Sequence, residues 1–332
     1  MANTNPDVLV VGAGVSGLTT AVCLAEAGLS VEIRADRPPP DTTSAVAGAI
    51  WGPHLVETGE RAARWRRATL AVLRELASGP DGDAAGVRAA TGAQVHRGSP
   101  VAPPDWLGEL GGWRPCGPAE LPPGFSGGWR YTAPLVHMPT YLGYLRARFE
   151  RAGGRVAVAA VASLAGAARE AGAGAVVNCA GAHARQLAGD PEVTPVRGQA
   201  VVAANPGLTE FLIAPGDASA ELAYLFPHGG TVILGGSEGP GDWNLEPDPA
   251  IAARILRDCA ALEPRLLGAR VLAHRVGLRP ARPTVRLEAE PAGPGGPLIV
   301  HNYGHGGAGI TLSWGCAREA ASLAADGLGH VS

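Results

Sequence analysis

The chain contains no lysine, so arginine supplies all 27 of its basic side chains. It also has no long basic run, and its formal net charge is −3. Proteins that bind nucleic acids usually carry clustered positive charge, so these absences argue against a nucleic-acid partner. The 332 residues are 46% hydrophobic and only 17% charged, which is typical of a folded protein of one large domain or two and argues against disorder.

Cysteine is scarce as well. The five cysteines are scattered, and none belongs to a CxxC pair: Cys23, Cys116, Cys179, Cys259 and Cys316. This pattern predicts reduced thiols in an intracellular protein rather than a disulfide framework. The spacing of His274, His301 and His305 fits no metal-ligand pattern, so we expect no metal.

A membrane segment or secretion signal is also lacking. The uncharged run from Val8 to Ala25 is preceded by Asp7, where a signal peptide has basic residues, and three glycines interrupt it. The last residues do not match a Ser-Lys-Leu-type peroxisomal address. We therefore expect a soluble, cytoplasmic protein with no membrane partner.

The first informative stretch has the layout of a dinucleotide site. It contains a strand, a glycine turn, a helix, a second strand and an acid: Val8–Val11, Gly12-x-Gly14-x-x-Gly17, a helix ending at Gly28, Val31–Ala35 and Asp36. Gly12 permits the tight turn, Gly14 lets the backbone approach a pyrophosphate, and Gly17 lets the helix pack on the sheet. Amides at the helix N-terminus face the phosphates, and Asp36 is placed for a ribose hydroxyl. The stretch predicts a bound dinucleotide without deciding which.

A second glycine-rich stretch, Leu298–Ala317, lies near the other end of the chain. A strand leads into the turn Gly304–Gly309, and a helix begins at once. Such a turn directs several free amides and the positive end of a helix at one point, where a group that becomes anionic during a reaction is stabilised. A reduced flavin is one such group. A plain glycine turn is the alternative that this stretch leaves open.

Hydrophobic periodicity predicts alternating strands and helices between these stretches. Helices are predicted over 61–76, 141–152, 251–262 and 310–324, and strands over 155–160, 175–178, 193–203, 222–235 (a hairpin turning at 228–230) and 298–301. Region 84–136, rich in glycine, proline and tryptophan, gives no firm assignment. The rhythm predicts an α/β fold in which a doubly wound domain is built from separated pieces, with antiparallel strands inserted between them. A site is expected at the junction.

Several motifs in one order resemble the D-amino-acid oxidase family of FAD enzymes. They cover nearly the whole chain: VVGAGVSGL, Ala35-Asp36-Arg37, Thr42-Thr43-Ser44, Val177-Asn-Cys-Ala-Gly181, Arg197-Gly-Gln199, Gly277-Leu-Arg-Pro-Ala-Arg-Pro283 and VHNYGHGGAGITLSWGCA. The resemblance implies a Rossmann-like FAD-binding domain with an inserted antiparallel-sheet α+β substrate domain. The expected division is 1–52, 137–197 and 277–332 for FAD, and 53–136 and 198–276 for the substrate.

The resemblance also implies the reaction. FAD would take a hydride from Cα of a D-amino acid to flavin N5, and the imino acid would hydrolyse to a 2-oxo acid and ammonia. Dioxygen would reoxidise the flavin to give hydrogen peroxide. The expected partners are therefore FAD, a D-amino acid and dioxygen, and a homodimer is compatible with the sequence. Alignment of substrate and flavin would do the work, so no acid or base residue is required.

Residue roles follow from the same resemblance. Arg279 would hold the substrate carboxylate, since a guanidinium fork pairs two carboxylate oxygens. Tyr224 would assist it, and the Gly307 carbonyl would accept a hydrogen bond from the substrate amine. The residues expected at the cofactor are Gly12, Gly14, Val15, Ser16, Gly17, Asp36, Arg37, Thr42, Thr43, Ser44, Ala49, Ile50, Val161, Arg279, Gly304, Gly306, Gly307, Ala308, Gly309, Ile310 and Thr311. Taken alone, the three hydroxyl residues 42–44 could equally cap a helix, and Arg279 could be a structural ion pair.

Departures from the family pattern bear on the substrate. Ala220 stands where vertebrate members carry a second tyrosine on a mobile lid, and loop 212–223 is slightly shorter, which predicts a more open entry. His54 in the pocket resembles the D-aspartate oxidase branch, but Glu238 stands where that branch has a second arginine. A carboxylate there would repel an acidic side chain. We therefore predict that neutral or basic D-amino acids are preferred over D-aspartate.

Other functions are less consistent with the sequence. Gly235-Gly-Ser237-Glu-Gly239 matches a serine-hydrolase elbow, but Pro240-Gly-Asp follows where a helix should begin. An NAD-dependent dehydrogenase would not explain the second glycine-rich turn. A flavin-binding sensor without turnover, D-aspartate oxidase and glycine or sarcosine oxidase remain the alternatives.

Overall fold

The computed structural model describes residues 5–56, 59–99, 101–216, 221–290 and 295–330. The strands are β1 (Val8–Val11), β2 (Val31–Ala35), β3 (Val87–His96), β4 (Arg114–Pro115), β5 (Gly127–Val136), β6 (Arg155–Val158), β7 (Ala175–Asn178), β8 (Thr194–Ala204), β9 (Phe211–Ala214), β10 (Ala223–His228), β11 (Thr231–Gly235), β12 (Gly239–Pro240), β13 (Val271–Ala281), β14 (Arg286–Glu290) and β15 (Leu298–Tyr303). The α-helices are α1 (Val15–Glu26), α2 (Thr43–Val46), α3 (Glu60–Ser78), α4 (Gly82–Ala85), α5 (Leu107–Leu110), α6 (Met138–Arg151), α7 (Leu164–Ala171), α8 (Ala184–Leu187), α9 (Pro249–Leu262) and α10 (Gly309–Gly327). These strands form two separate sheets.

The first sheet is mostly parallel and has the order β14-β15-β7-β1-β2-β6. Strand β1 is central and pairs in parallel with both β2 and β7. All four of its residues are buried because both faces are covered: Val8 and Val10 pack in the core that includes α1, whereas Leu9 and Val11 pack against α7. A parallel sheet covered on both faces explains why β1 reads as a continuous apolar run.

The second sheet is mostly antiparallel, with the order β12-β8-β11-β10-β9-β3-β5-β4 and β13 also paired to β8. Its strands β3 and β5 pair from Val87↔Val136 to His96↔Gly127 and occupy the region that periodicity leaves unassigned. The apolar pattern is interrupted there for structural reasons. A Cβ on Gly92 would lie 2.1 Å from the Phe211 carbonyl oxygen, so close strand packing excludes a side chain at that position.

Most predicted elements are confirmed within a few residues. The predicted helices at 61–76, 141–152, 251–262 and 310–324 correspond to α3, α6, α9 and α10, and the predicted hairpin is formed by β10 and β11. The predicted strands at 155–160, 175–178, 193–203 and 298–301 correspond to β6, β7, β8 and β15. Sequence reasoning missed β13, eleven residues long, because its first residues are exposed and do not alternate clearly between apolar and polar.

The α/β fold with an antiparallel second sheet is confirmed. The strands of the parallel sheet come from residues 8–35, 155–178 and 286–303, all inside the three segments predicted for the FAD domain. The predicted boundaries at 197 and 277 fall within β8 and β13, which pair with each other, so the division into two domains stays a prediction. None of the helices in the described ranges is long and apolar enough to cross a membrane.

Candidate active site

A cavity of about 1700 Å³ lies where the two sheets meet. Its walls come from the N-terminal ends of α1 and α10, the segment 41–55, and residues of β10 and β13. Predicted site residues that line it are Gly12, Gly14, Val15, Ser16, Asp36, Arg37, Thr42, Thr43, Ser44, Ala49, Ile50, His54, Val161, Tyr224, Glu238, Arg279, Gly306, Gly307, Gly309 and Ile310. The fold therefore brings both glycine-rich stretches and the predicted substrate residues to one place.

The first glycine turn is shaped by close backbone packing. Gly12 has φ of +108°, and a Cβ on it would lie 2.4 Å from the Cys179 carbonyl oxygen. A Cβ on Gly17 would lie 1.9 Å from the Gly12 carbonyl oxygen. Gly17 does not line the cavity, so its role is to let α1 approach the turn. Helix α1 begins after Gly14 with no side-chain cap, and its N-terminus faces the cavity.

Of the hydroxyls at 42–44, Ser44 bears most directly on the helix end. Its Oγ accepts a hydrogen bond from the Val15 amide at 2.9 Å, and so covers one donor in the first turn of α1. Thr42 donates to the Pro39 carbonyl at 2.8 Å, and Thr43 Oγ1 accepts from the Leu278 amide at 3.4 Å. Thr42 is the N-cap residue of α2 but makes no capping bond with its side chain.

The second glycine turn differs in detail from the expectation of several free amides. The amide of Gly306 donates to the Pro280 carbonyl at 2.8 Å, and that of Gly307 donates to the His54 carbonyl at 3.1 Å. These amides hold the turn in place rather than facing a ligand. The open donors belong instead to the first turn of α10, which begins at Gly309 next to Val15 of α1. Two helix N-termini thus lie side by side at the cavity.

Three further predicted residues of this turn do not line the cavity: Gly304, Ala308 and Thr311. Thr311 is buried, and its hydroxyl donates to the Gly52 carbonyl at 2.8 Å and accepts from the Gly52 amide at 3.1 Å. Its side chain therefore fixes the loop at 52. Gly304 has φ of +85°, where glycine is favoured.

Arg279 extends from β13 into the cavity. Its Nη1 donates to the Ser237 carbonyl at 3.0 Å, and its guanidinium lies on Gly198, where a Cβ would come within 2.4 Å of Nη1. Within the described residues, Arg279 forms no ion pair with a carboxylate. A half-buried guanidinium in this state has donors left for a ligand anion.

Tyr224 lies on β10, directly opposite Gly235 of β11. A Cβ on Gly235 would lie 2.0 Å from the tyrosine Cζ, so the ring lies flat over the glycine backbone. The ring also stacks on Phe226, with centroids 4.6 Å apart. Burial raises the pKa of the Tyr224 phenol, although the charge on Arg279 partly opposes this, so the hydroxyl is protonated and able to donate.

His54 and Glu238, predicted from opposite parts of the sequence, meet in the cavity. His54 Nε2 lies 3.0 Å from Glu238 Oε1. Burial lowers the pKa of His54, and Arg279 lowers it further, whereas Glu238 acts in the opposite direction. The His54 ring also lies against Gly307, whose Cβ would be 2.3 Å from the imidazole Cδ2. The lid positions 217–220, including Ala220, lie outside the described residues.

His305 connects the two glycine turns, a role that sequence spacing did not indicate. The Oδ1 atom of Asn302 can only accept, so His305 Nε2 donates to it at 3.1 Å, and Nδ1 lies 3.5 Å from the Ser16 hydroxyl. Burial lowers the pKa of His305 to about 4, so the ring is neutral near pH 7. A wall of the cavity from Trp106 and Tyr131 was also missed, because it comes from the unassigned region.

The local structure excludes a serine-hydrolase elbow. Ser237 is buried, its Oγ accepts from the Gln199 amide at 2.9 Å, and the short strand β12 follows it rather than a helix. The described residues also contain no group of three or more His, Cys, Asp and Glu side chains placed to hold a metal.

Comparisons with known proteins agree with this geometry. The chain matches a family model described as DAO, FAD dependent oxidoreductase, over residues 7–323. It is 51% identical to a D-amino-acid oxidase of Rubrobacter xylanophilus over 95% of both chains, and 48% identical to one of Streptomyces coelicolor over 96% of both. It is 38% identical to a human D-aspartate oxidase, over 96% of this chain and 94% of that one. Among solved structures, a glycine oxidase from Geobacillus kaustophilus has the same fold, with a TM-score of 0.78 and 20% identity over 98% of this chain and 95% of that one.

Proposed function

The chain belongs to the DAO family of FAD-dependent oxidoreductases, and on this premise we propose that it converts neutral or basic D-amino acids to 2-oxo acids, ammonia and hydrogen peroxide. One observation carries the proposal. Arg279, which has no carboxylate partner among the described residues, shares a single cavity with Tyr224 and with two helix N-termini. That cavity has an anchor for a carboxylate beside a binding site for a dinucleotide.

The residues present fit FAD. Residues of both glycine turns line the cavity. A Cβ on Gly12 would lie 2.4 Å from the Cys179 carbonyl oxygen, and a Cβ on Gly14 would lie 2.9 Å from Ser44 Oγ, so side chains are excluded at both positions. The N-terminus of α1 would hold the diphosphate, Asp36 and Arg37 the ribose, and Val161 the adenine. The turn at 306–310 would hold the isoalloxazine, with the first turn of α10 directed at it. Bound FAD supplies the acceptor for a hydride from the substrate Cα, and dioxygen takes the electrons on to peroxide.

The substrate is oriented by groups on three elements. Arg279 pairs with both carboxylate oxygens, since its guanidinium presents parallel N–H donors. The Tyr224 hydroxyl, which is protonated, donates to the same carboxylate. The Gly307 carbonyl accepts from the substrate amine, which fixes which face of Cα is presented. Loss of the hydride leaves an imino acid, and water hydrolyses it to the 2-oxo acid and ammonia.

The pair of His54 and Glu238 supports the preference for neutral or basic side chains. Glu238 keeps its carboxylate in the cavity, 3.0 Å from His54 Nε2. Because burial and Arg279 both oppose protonation of His54, the imidazole does not cancel the charge on Glu238 near pH 7. The β-carboxylate of D-aspartate would be repelled. D-aspartate oxidation, the activity named for the human relative, is the rival function.

We place the reaction in the cytoplasm. The support is that all five cysteines are free, because disulfide bonds are common in secreted proteins and rare in the cytosol.

The experiment that tests the proposal is a substrate series with purified holoenzyme. The absorption bands of bound flavin are recorded first, and kcat/KM is then measured by peroxide release for D-Ala, D-Val, D-Arg and D-Asp. We expect D-Asp to be the poorest of the four. A colourless protein that FAD does not reconstitute would contradict the cofactor, and D-Asp as the best substrate would contradict the side-chain preference.

A further inference from the structure

A group of four basic side chains lies outside the active-site cavity. It consists of Arg88 on β3, His137 at the start of α6, His228 at the end of β10 and Arg275 on β13, and we call it the basic cluster. The rings of His137 and His228 have centroids 5.2 Å apart. None of the four lines the cavity, and all are half-buried, so solvent reaches the cluster from another side.

The arginines of the cluster bond to backbone carbonyls rather than to carboxylates. Arg88 Nη2 donates to the Pro227 carbonyl at 2.7 Å, and Arg275 Nη1 lies 3.4 Å from the Ala45 carbonyl. In the part of the chain that the structure describes, neither forms an ion pair. Burial alone accounts for the lowered pKa of each guanidinium, with no acidic neighbour to oppose it. Each arginine therefore has free N–H donors and an unbalanced charge.

Other arginines with little exposed surface form ion pairs with carboxylates. Arg66 pairs with Glu109 at 2.5 Å, and Arg282 pairs with Asp190 at 3.0 Å. Two other half-buried arginines are bonded to carbonyls without an ion pair among the described residues, Arg185 and Arg279. Arg185 donates to the carbonyls of Pro191 and Val193 and is not grouped with a second cation, whereas the proposed partner of Arg279 is an anion from outside the chain. The same reasoning applied to the cluster indicates an external anion, since two unpaired cations held together destabilise the fold.

One ring nitrogen of the two histidines also lacks a partner. Nε2 of His228 is buried and has no hydrogen-bond partner among the described atoms. Burial lowers the pKa of His228 to about 3. The nearby groups His137, Arg88 and Arg275 lower this pKa further by charge repulsion, whereas a hydrogen bond to the Gly48 backbone raises it. His137 is also the N-cap residue of the 14-residue helix α6. Its Nδ1 lies 2.7 Å from the Thr140 hydroxyl and caps no backbone amide, so the positive end of that helix adds to the field.

We propose that the basic cluster is a binding site for a phosphate group, separate from the FAD cavity. Its side chains come from β3, the start of α6, β10 and β13, and so approach from several directions. That arrangement suits a tetrahedral anion better than a planar carboxylate. Guanidinium groups and helix N-termini are the usual protein partners of phosphate.

The cluster is connected to the cofactor site through one segment. Arg275 bonds to Ala45, and Gly48 lies beside His228, while residues 43, 44 and 46–48 line the cavity. Phosphate that holds the cluster together would also hold this segment. We therefore expect phosphate to slow the loss of FAD from the holoenzyme.

The test is calorimetric titration of the holoenzyme with inorganic phosphate, with chloride adjusted to keep the ionic strength constant. We expect saturable binding, weakened about 10-fold or more in R88Q and in R275Q, since each removes charge-assisted hydrogen bonds. R64Q, at an exposed position, is the matched control and should bind like the wild type. R279Q should also keep phosphate binding, which separates the cluster from the substrate site.

Further arms identify the ligand and protect against misfolding. AMP in place of phosphate distinguishes a phosphate ester from free phosphate, because only an open site accepts the ester. If a glutamine variant does not fold, R88K and R275K keep the charge but lose the planar fork, and weaker binding is again expected. Two results would overturn the proposal: no saturable phosphate binding by the wild type, or equal affinity in folded cluster variants and R64Q.

Discussion

His54 Nε2 lies 3.0 Å from Glu238 Oε1, and both side chains face the cavity that holds Arg279. The two residues are 184 positions apart, one in the loop after Ile50 and one after β11, so their contact depends on the packing of the two sheets. The pair places one carboxylate where the substrate side chain is expected to lie.

Replacement of Glu238 should therefore change substrate choice. E238Q keeps the shape of the side chain and removes its charge. The kcat/KM for D-Asp relative to that for D-Ala should therefore rise about 10-fold, and the kcat/KM for D-Arg relative to that for D-Ala should fall. The matched control is E246Q, which removes a charge eight positions along and does not line the cavity. An unchanged D-Asp to D-Ala ratio in E238Q would show that Glu238 does not select the side chain.

Arg279 is also among the residues expected at the cofactor, but its main effect should be on substrate affinity. In R279Q the loss of charge-assisted bonds to the carboxylate should lower kcat/KM for D-Ala about 100-fold or more, because bonds of this type contribute ~1.5–3 kcal/mol each. The flavin absorbance per mole of protein should stay at the wild-type value. Activity equal to the wild type, or loss of flavin together with activity, would contradict this assignment.

The buried His305 should make the fold sensitive to acid. Its pKa is lowered to about 4 in the folded chain, from an ordinary value near 6.5. Between these pH values the unfolded chain binds a proton that the folded chain does not, so stability falls as the pH decreases through this window. The free energy of unfolding in urea should fall by roughly 3 kcal/mol from pH 7 to pH 4 through this residue. In H305Q the free energy of unfolding should fall less between pH 7 and pH 4 than in the wild type. H274Q, changed at an exposed position, should lose as much as the wild type.

Gly12 should be needed for its close contact as well as for its backbone angle. G12A would place a Cβ 2.4 Å from the Cys179 carbonyl oxygen at φ of +108°, so it should destabilise the chain by more than ~2 kcal/mol. Gly181 also has a positive φ, of +58°, but a Cβ added there would have no atom within 4 Å. G181A should therefore lower the free energy of unfolding by only ~1 kcal/mol. Urea unfolding of both variants separates the two effects, because G181A introduces backbone strain alone and G12A introduces the close contact as well. An equal loss of unfolding free energy in G12A and G181A would contradict this prediction and would mean that small movements relieve the contact at Gly12.

Local sequence pattern is sufficient for much of the fold. The strand β1, the turn at Gly12–Gly17 and the helix α1 follow one another along the chain, so their spacing alone predicts them. The pairing of β3 with β5 cannot be predicted in this way. Gly92 and Pro134 obscure the periodicity of these strands, and the reason for Gly92 is its contact with Phe211, far away in sequence.

The site shows the same division between local and distant information. The glycine turns and Arg279 are recognisable as motifs, because the chemistry requires these residue types at fixed spacing. The hydrogen bonds of Gly306 and Gly307 cannot be anticipated, since their acceptors, Pro280 and His54, come from other segments. Nor can the link from His305 to Ser16, which lies 289 positions away. Contacts between distant segments are what the three-dimensional structure adds.

The central proposal is that the chain uses FAD to oxidise D-amino acids and not L-amino acids. The most direct measurement is anaerobic mixing of the purified holoenzyme with D-alanine or L-alanine while the flavin absorbance is followed, and then admission of dioxygen with assay of peroxide. We expect bleaching of the flavin and peroxide release with D-alanine, and neither with L-alanine. Bleaching by L-alanine at a similar rate, or no bleaching by any D-amino acid of the series, would contradict this central claim.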